Sequence, residues 1–102
     1  MIAIVDYNAG NVRSVLNALH RLGAEAEVSA NPEVLKKADR VIFPGVGNAK
    51  HAMENLRERG LDKVLLELTQ PFLGICLGMQ LMCSHSEEGD TDCLHIFPEK
   101  VK

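Results

Sequence analysis

The 102-residue sequence predicts an α/β fold: a doubly wound, mostly parallel sheet with helices on both faces. Three observations predict it. Short apolar, β-branched runs occur at "MIAIVD", "RVIFPG" and "PFLGIC", bounded by turn-forming residues. Stretches between them carry apolar residues at helical spacing. Strand and helix alternate, as they do when parallel strands are joined by crossovers. A short first strand followed by a loop and a helix fits the flavodoxin-like arrangement, in which chemistry collects at the carboxyl ends of the strands.

Each element has a local reason. "MIAIVD" reads as a buried strand closed by an acid, and "YNAGN" supplies a turn. Val12, Val15, Leu16, Leu19 and Leu22 form one helical stripe that ends near Gly23. "AEAEVS" alternates like an outer strand. "NPEVLKKA" predicts a short helix with Asn31 as cap and Pro32 at its first position. "RVIFPGVG" is a buried strand running into a loop at Pro44 to Gly47, and a helix follows from about Asn48 to Arg59. "LDKVLLELT" continues in helical spacing. "PFLGIC" is the next strand, with a helix from Leu77 onward. "EEGDTD" is an acidic turn, and "CLHIFPEKV" begins one more strand.

Composition narrows the function. Hydrophobic residues at 46% and charged residues at 25% describe an ordinary globular domain rather than disorder. A net charge of −3 with scattered Lys and Arg argues against a nucleic-acid surface. No apolar run approaches the roughly 20 residues that span a bilayer, and the start lacks the pattern of a signal peptide. The cysteines Cys76, Cys83 and Cys93 are odd in number and show no zinc spacing. The expectation is a reduced, cytoplasmic protein with no metal site and no cofactor.

Three loops leave strand ends: "DYNAGN", "PGVG" and "GICLG". The last is G-x-C-x-G, the spacing of a nucleophile elbow, where a sharp strand-to-helix turn needs small neighbours such as Gly74 and Gly78. Cys76 would project at the N-terminus of the next helix, where unpaired N–H groups and the helix dipole favour a thiolate. The Leu77 N–H would face a developing oxyanion, and glycines on both sides of Val46 would let a second peptide N–H turn toward it. On spacing alone, Cys76 also reads as a small buried hydrophobe, as Cys83 and Cys93 do. None of the four histidines is a convincing base. His85 lies about 13 Å along the expected helix and on its opposite face. His20 is a late residue of the first helix, His51 has no orienting acid, and His95 faces solvent from the last strand.

These segments resemble the class I (triad) glutamine amidotransferases, and among them the glutaminase subunits of histidine biosynthesis. "GICLGMQ" is similar to the elbow of the class, "PGVG" to the oxyanion loop of the histidine-pathway members, and "IVDYNAGNVRSVLNAL" to their opening strand, loop and helix. The resemblance implies that Cys76 attacks the side-chain amide of glutamine, with Val46, Gly47 and Leu77 supplying or positioning oxyanion donors. It implies that Gly45 and Gln80 contribute to the glutamine pocket. Asn8 and Asn11 would face a (β/α)₈-barrel cyclase subunit, the partner in a heterodimer that receives the ammonia. Without the resemblance, Gln80 reads as a solvated helix residue and Asn11 as a helix cap.

The family draws its triad histidine and glutamate from a later segment that reads like H-P-E, and residues 1–102 contain none. The resemblance therefore makes 1–102 the N-terminal part of a single amidotransferase domain. It is expected to be close to inactive as a glutaminase and to self-associate through an uncovered sheet edge. Three other readings stay open: a glutaminase of another biosynthetic pathway, a DJ-1/PfpI-like cysteine-elbow protein, and a non-catalytic fragment that docks on the cyclase.

Overall fold

A computed structural model of the chain describes residues 1–7, 12–45, 49–75, 78, 81–82, 85–86, 91–94, 96 and 100–101. Its centre is a four-stranded, wholly parallel sheet in the order β2-β1-β3-β4. The strands are β1 (Ile2–Val5), β2 (Ala26–Ser29), β3 (Arg40–Phe43) and β4 (Phe72–Gly74). β1 pairs with β2 on one side and β3 on the other, with Ile4 opposite both Val28 and Ile42. The chain thus reverses its direction of travel across the sheet at β1/β3, the switch point of a flavodoxin-like fold. The expected class is the observed one.

Helix α1 (Val12–Arg21) carries the half-buried stripe Val12, Val15, Leu16 and Leu19 and packs on β1 and β2. Helix α2 (Pro32–Lys37) begins as its sequence dictates: the Asn31 Oδ1 accepts from the Glu33 N–H at 3.0 Å, with proline at the first position. Its end is held by the Gln70 side-chain amide, which donates to the Leu35 carbonyl at 2.7 Å and the Ala38 carbonyl at 3.1 Å.

Helix α3 (Ala49–Glu58) presents Ala49, Ala52, Met53 and Leu56 to the core. The helical spacing carried through "LDKVLLELT" is interrupted. Gly60 adopts φ +68°, and a separate helix α4 (Leu61–Glu67) starts after it. A left-handed residue ends the hydrogen-bond ladder although the apolar periodicity runs on.

One face of the sheet, with Ala3, Val5, Val41, Phe43 and Phe72, joins Leu35 of α2, Leu56 of α3 and Leu65 of α4 in a single core. Strand alternation puts Ile4 and Ile42 on the other face, where α1 packs.

The C-terminal third departs from the sequence expectation. Gly78 and Leu81 are helical, but Met82 is in a turn and His85 lies in a strand, β5 (His85–Ser86), rather than on a continuing helix. β5 pairs antiparallel with β6 (Thr91–Asp92) and parallel with β7 (Lys100–Val101). Cys93 and Leu94, expected to open a strand, follow β6 in irregular structure. The Leu94 N–H donates to the Leu81 carbonyl at 2.8 Å. Leu81, Met82 and Leu94 are buried in the main core, so this small sheet is tied to the large one by packing.

Candidate active site

All four parallel strands point the same way, so the loops after β1, β3 and β4 emerge at one end of the sheet from adjacent or next-adjacent strands. The peptides at the end of β3 are where the three meet. From the β4 side, the Ile75 N–H donates to the Phe43 carbonyl at 3.0 Å, extending the ladder one step beyond Gly74. The Gly78 N–H then donates to the Ile75 carbonyl at 2.9 Å. From the β1 side, the Tyr7 hydroxyl donates to the Pro44 carbonyl at 2.5 Å.

The second glycine of G-x-C-x-G has a steric cause that can be located. A Cβ at Gly78 would lie 1.8 Å from the Phe43 carbonyl oxygen and 2.7 Å from its carbon. The turn after β4 therefore presses its backbone directly on the end of β3, and only hydrogen fits. Helical Gly78 and Leu81 follow at once.

Tyr7 was not marked as a functional candidate by its sequence context. It is 1% exposed, its ring lies 5.0 Å from that of Phe43, and Phe43 lies 5.8 Å from Phe72. Burial pushes its phenol well above the usual tyrosine value, so it is a neutral donor at any physiological pH. The available signal was an aromatic residue with a polar tip at the exit of a buried strand, which needs a hydrogen-bond partner. That partner lies 37 residues away in sequence.

Of the residues named from sequence, Gly45 is described: it is buried and follows the clamped Pro44. Cys76, Leu77, Val46, Gly47, Gln80, Asn8 and Asn11 lie outside the described residues, as do Cys83 and His95. Cys93 is half-buried against the core. His20 is exposed in the last turn of α1, which runs back from the carboxyl end of β1 and so ends at the opposite end of the sheet. His51 is exposed in the first turns of α3, at the same end as the three loops. Among the described residues no cluster of three or more His, Cys, Asp and Glu could hold a metal, and no helix is long and apolar enough to cross a membrane.

Comparison with known proteins gives this geometry a context. The family model described as glutamine amidotransferase class-I matches residues 3–100. Imidazole glycerol phosphate synthase subunit HisH of Bacteroides fragilis (strain YCH46) is 60% identical over 101 residues, covering 99% of this chain and 52% of that protein. The HisH subunit of Idiomarina loihiensis is 54% identical over 101 residues, with the same coverage of 99% and 52%. The chain spans about half the length of the curated relatives it matches. Among solved structures, a crystal structure of a glutamine amidotransferase superposes with a TM-score of 0.79 at 23% identity, covering 98% of this chain and 55% of that one. A peptidase E protein from Listeria monocytogenes gives 0.75 at 19% identity, covering 95% and 62%. At these identities both likenesses speak for the fold alone.

Proposed function

The chain belongs to the class-I glutamine amidotransferase family, and from that premise we propose that it carries the nucleophile-bearing part of a glutaminase. On this reading residues 1–102 form the N-terminal part of one amidotransferase domain, that of the glutaminase subunit of imidazole glycerol phosphate synthase in histidine biosynthesis. The Cys76 thiolate attacks the side-chain amide carbon of glutamine, forming a C–S bond and an oxyanion. Backbone donors at Val46, Gly47 and Leu77 receive that charge. Collapse of the intermediate expels ammonia and leaves a glutamyl thioester, which water cleaves to glutamate, freeing the thiol.

Gly45 and Gln80 line the glutamine pocket. The leaving nitrogen needs a proton, and in the family pattern a histidine oriented by a glutamate handles it. None of His20, His51, His85 and His95 matches that pattern, so the proposal takes both residues from beyond 1–102. Asn8 and Asn11 face a barrel-shaped cyclase subunit, which consumes the ammonia within a cytoplasmic heterodimer.

The observation that supports this reading is the junction at Phe43 and Pro44, whose carbonyls accept the Ile75 N–H from the exit of β4 and the Tyr7 hydroxyl from the exit of β1. The 60% identity to a HisH subunit over 99% of the chain supports the histidine pathway over other amidotransferase pathways. Peptide mapping after incubation with the diazoketone analogue of glutamine tests it. A single adduct on Cys76, suppressed by excess glutamine, is expected. Labelling spread over Cys76, Cys83 and Cys93 and indifferent to glutamine would overturn it.

A further inference from the structure

We propose that Tyr7 is a positioning residue for the oxyanion loop: its buried hydroxyl holds the Pro44 carbonyl and thereby sets the orientation of the Pro44–Gly45 peptide from which that loop departs. The inference rests on the glutaminase reading and adds to it a residue outside the G-x-C-x-G and "PGVG" motifs.

The geometry is that of a clamp. On one side the Phe43 carbonyl accepts the Ile75 N–H at 3.0 Å and abuts Gly78, so the elbow fixes the last peptide of β3. On the other side the next carbonyl, that of Pro44, is taken by Tyr7 at 2.5 Å. The described residues contain no cis peptide bond, and across a trans peptide the C=O and the following N–H point in opposite directions. Fixing the Pro44 carbonyl toward Tyr7 therefore fixes the Gly45 N–H away from it. Gly45 and Gly47 flank Val46 with little steric preference of their own. Without an anchor at its start, such a segment would sample several peptide orientations, only some of which present donors to the elbow.

Tyr7 is suited to the task because its ring is already immobilised against Phe43, so the hydroxyl costs little further ordering. It also stands at the root of the "DYNAGN" loop. The hydrogen bond therefore links the segment proposed to face the cyclase with the segment proposed to hold the oxyanion.

Tyr7→Phe removes the hydroxyl and keeps the ring. In the protein extended through the segment proposed to supply the triad histidine and glutamate, the rate of Cys76 modification is measured with two probes: the diazoketone glutamine analogue, which must settle its carbonyl in the oxyanion site, and iodoacetamide, which need not. The expected result is about a tenfold slower reaction with the analogue and an unchanged rate with iodoacetamide. Equal rates with the analogue in parent and variant would overturn the proposal. So would equal slowing with both probes, since Tyr7 would then only be supporting the elbow.

A second measurement separates this inference from the reading beneath it. The carbonyl ¹³C resonance of Pro44 and the amide resonance of Gly45 are compared in the same two proteins. Large shifts centred on residues 43–45 sustain the clamp even if the parent chain fails to react with the analogue, a failure that would count against the glutaminase reading alone. Unchanged resonances at Pro44 and Gly45 overturn the clamp whatever the labelling shows.

Discussion

A methyl group on Gly78 would sit 1.8 Å from the Phe43 carbonyl oxygen, well inside van der Waals contact, and the obstacle is backbone on a central strand. Neither partner can move without breaking the Ile75 bond to the same carbonyl. Gly78→Ala is therefore expected to cost about 3 kcal/mol in urea unfolding, at the upper end of overpacking effects. A loss below about 1 kcal/mol would mean that the turn and β3 are farther apart. Tyr7 makes a prediction of a different kind. Burial raises its folded-state pKa above the ordinary value of about 10, so the folded state binds the phenolic proton more tightly than the unfolded chain does. Stability from this group is fully present below about pH 10 and declines as pH rises beyond it. Denaturant midpoints between pH 9 and pH 11 should show that alkaline decline, and Tyr7→Phe should flatten it while lowering stability near neutrality by about 1–3 kcal/mol through the unpaired Pro44 carbonyl.

Among the elements, what was legible in the sequence was whatever depends on neighbours along the chain. The Asn31 cap, the proline start of α2 and the α1 stripe from Val12 to Leu19 each involve residues a few positions apart, and each folds as its spacing indicates, whereas Leu22, expected in the stripe, lies past the helix end and is exposed. The break between α3 and α4 was hidden because the apolar period of "LDKVLLELT" stays in step while the backbone turns left-handed at Gly60. The small sheet was illegible for another reason. Its strands are two residues long, too short for a period to register, and β5 meets β7 through a parallel pairing of residues 85–86 with 100–101. The convergence of three loops was readable from their positions after strands. Their lacing through Tyr7 and Gly78 was not, because those partners are 37 and 35 residues apart. The α3/α4 break can be tested directly. A Cβ on Gly60 meets nothing within 4 Å, so Gly60→Ala carries only the backbone penalty of φ +68°. A loss of about 1–2 kcal/mol with an unchanged denaturant slope is expected. No loss would mean that the two helices join without the left-handed residue.

Taken as a whole, the molecule covers the two faces of its sheet unequally. Among the described residues α2, α3 and α4 close one face, while α1 packs on the other, chiefly over β1 and β2. The consequence shows along a single row of that second face. Ile4, Ile42 and Leu73 are register neighbours on β1, β3 and β4, and their exposures are 0%, 8% and 57%. The cover thins with distance from α1. At the open end a trough of about 300 Å³ runs between Ile2, Ile42, Pro71 and Leu73. The two faces should therefore answer substitution in opposite ways. Leu56→Ala, in the closed core at 0% exposure, should cost about 2–5 kcal/mol by leaving a cavity. Leu73→Gln should leave the unfolding free energy within about 0.5 kcal/mol, since its side chain gains little burial on folding. The same change should shorten retention on a hydrophobic-interaction column, because it removes the most exposed apolar side chain of the row. A Leu73→Gln protein that unfolds several kcal/mol more easily, with retention unchanged, would mean that this face is already covered and that the row is core.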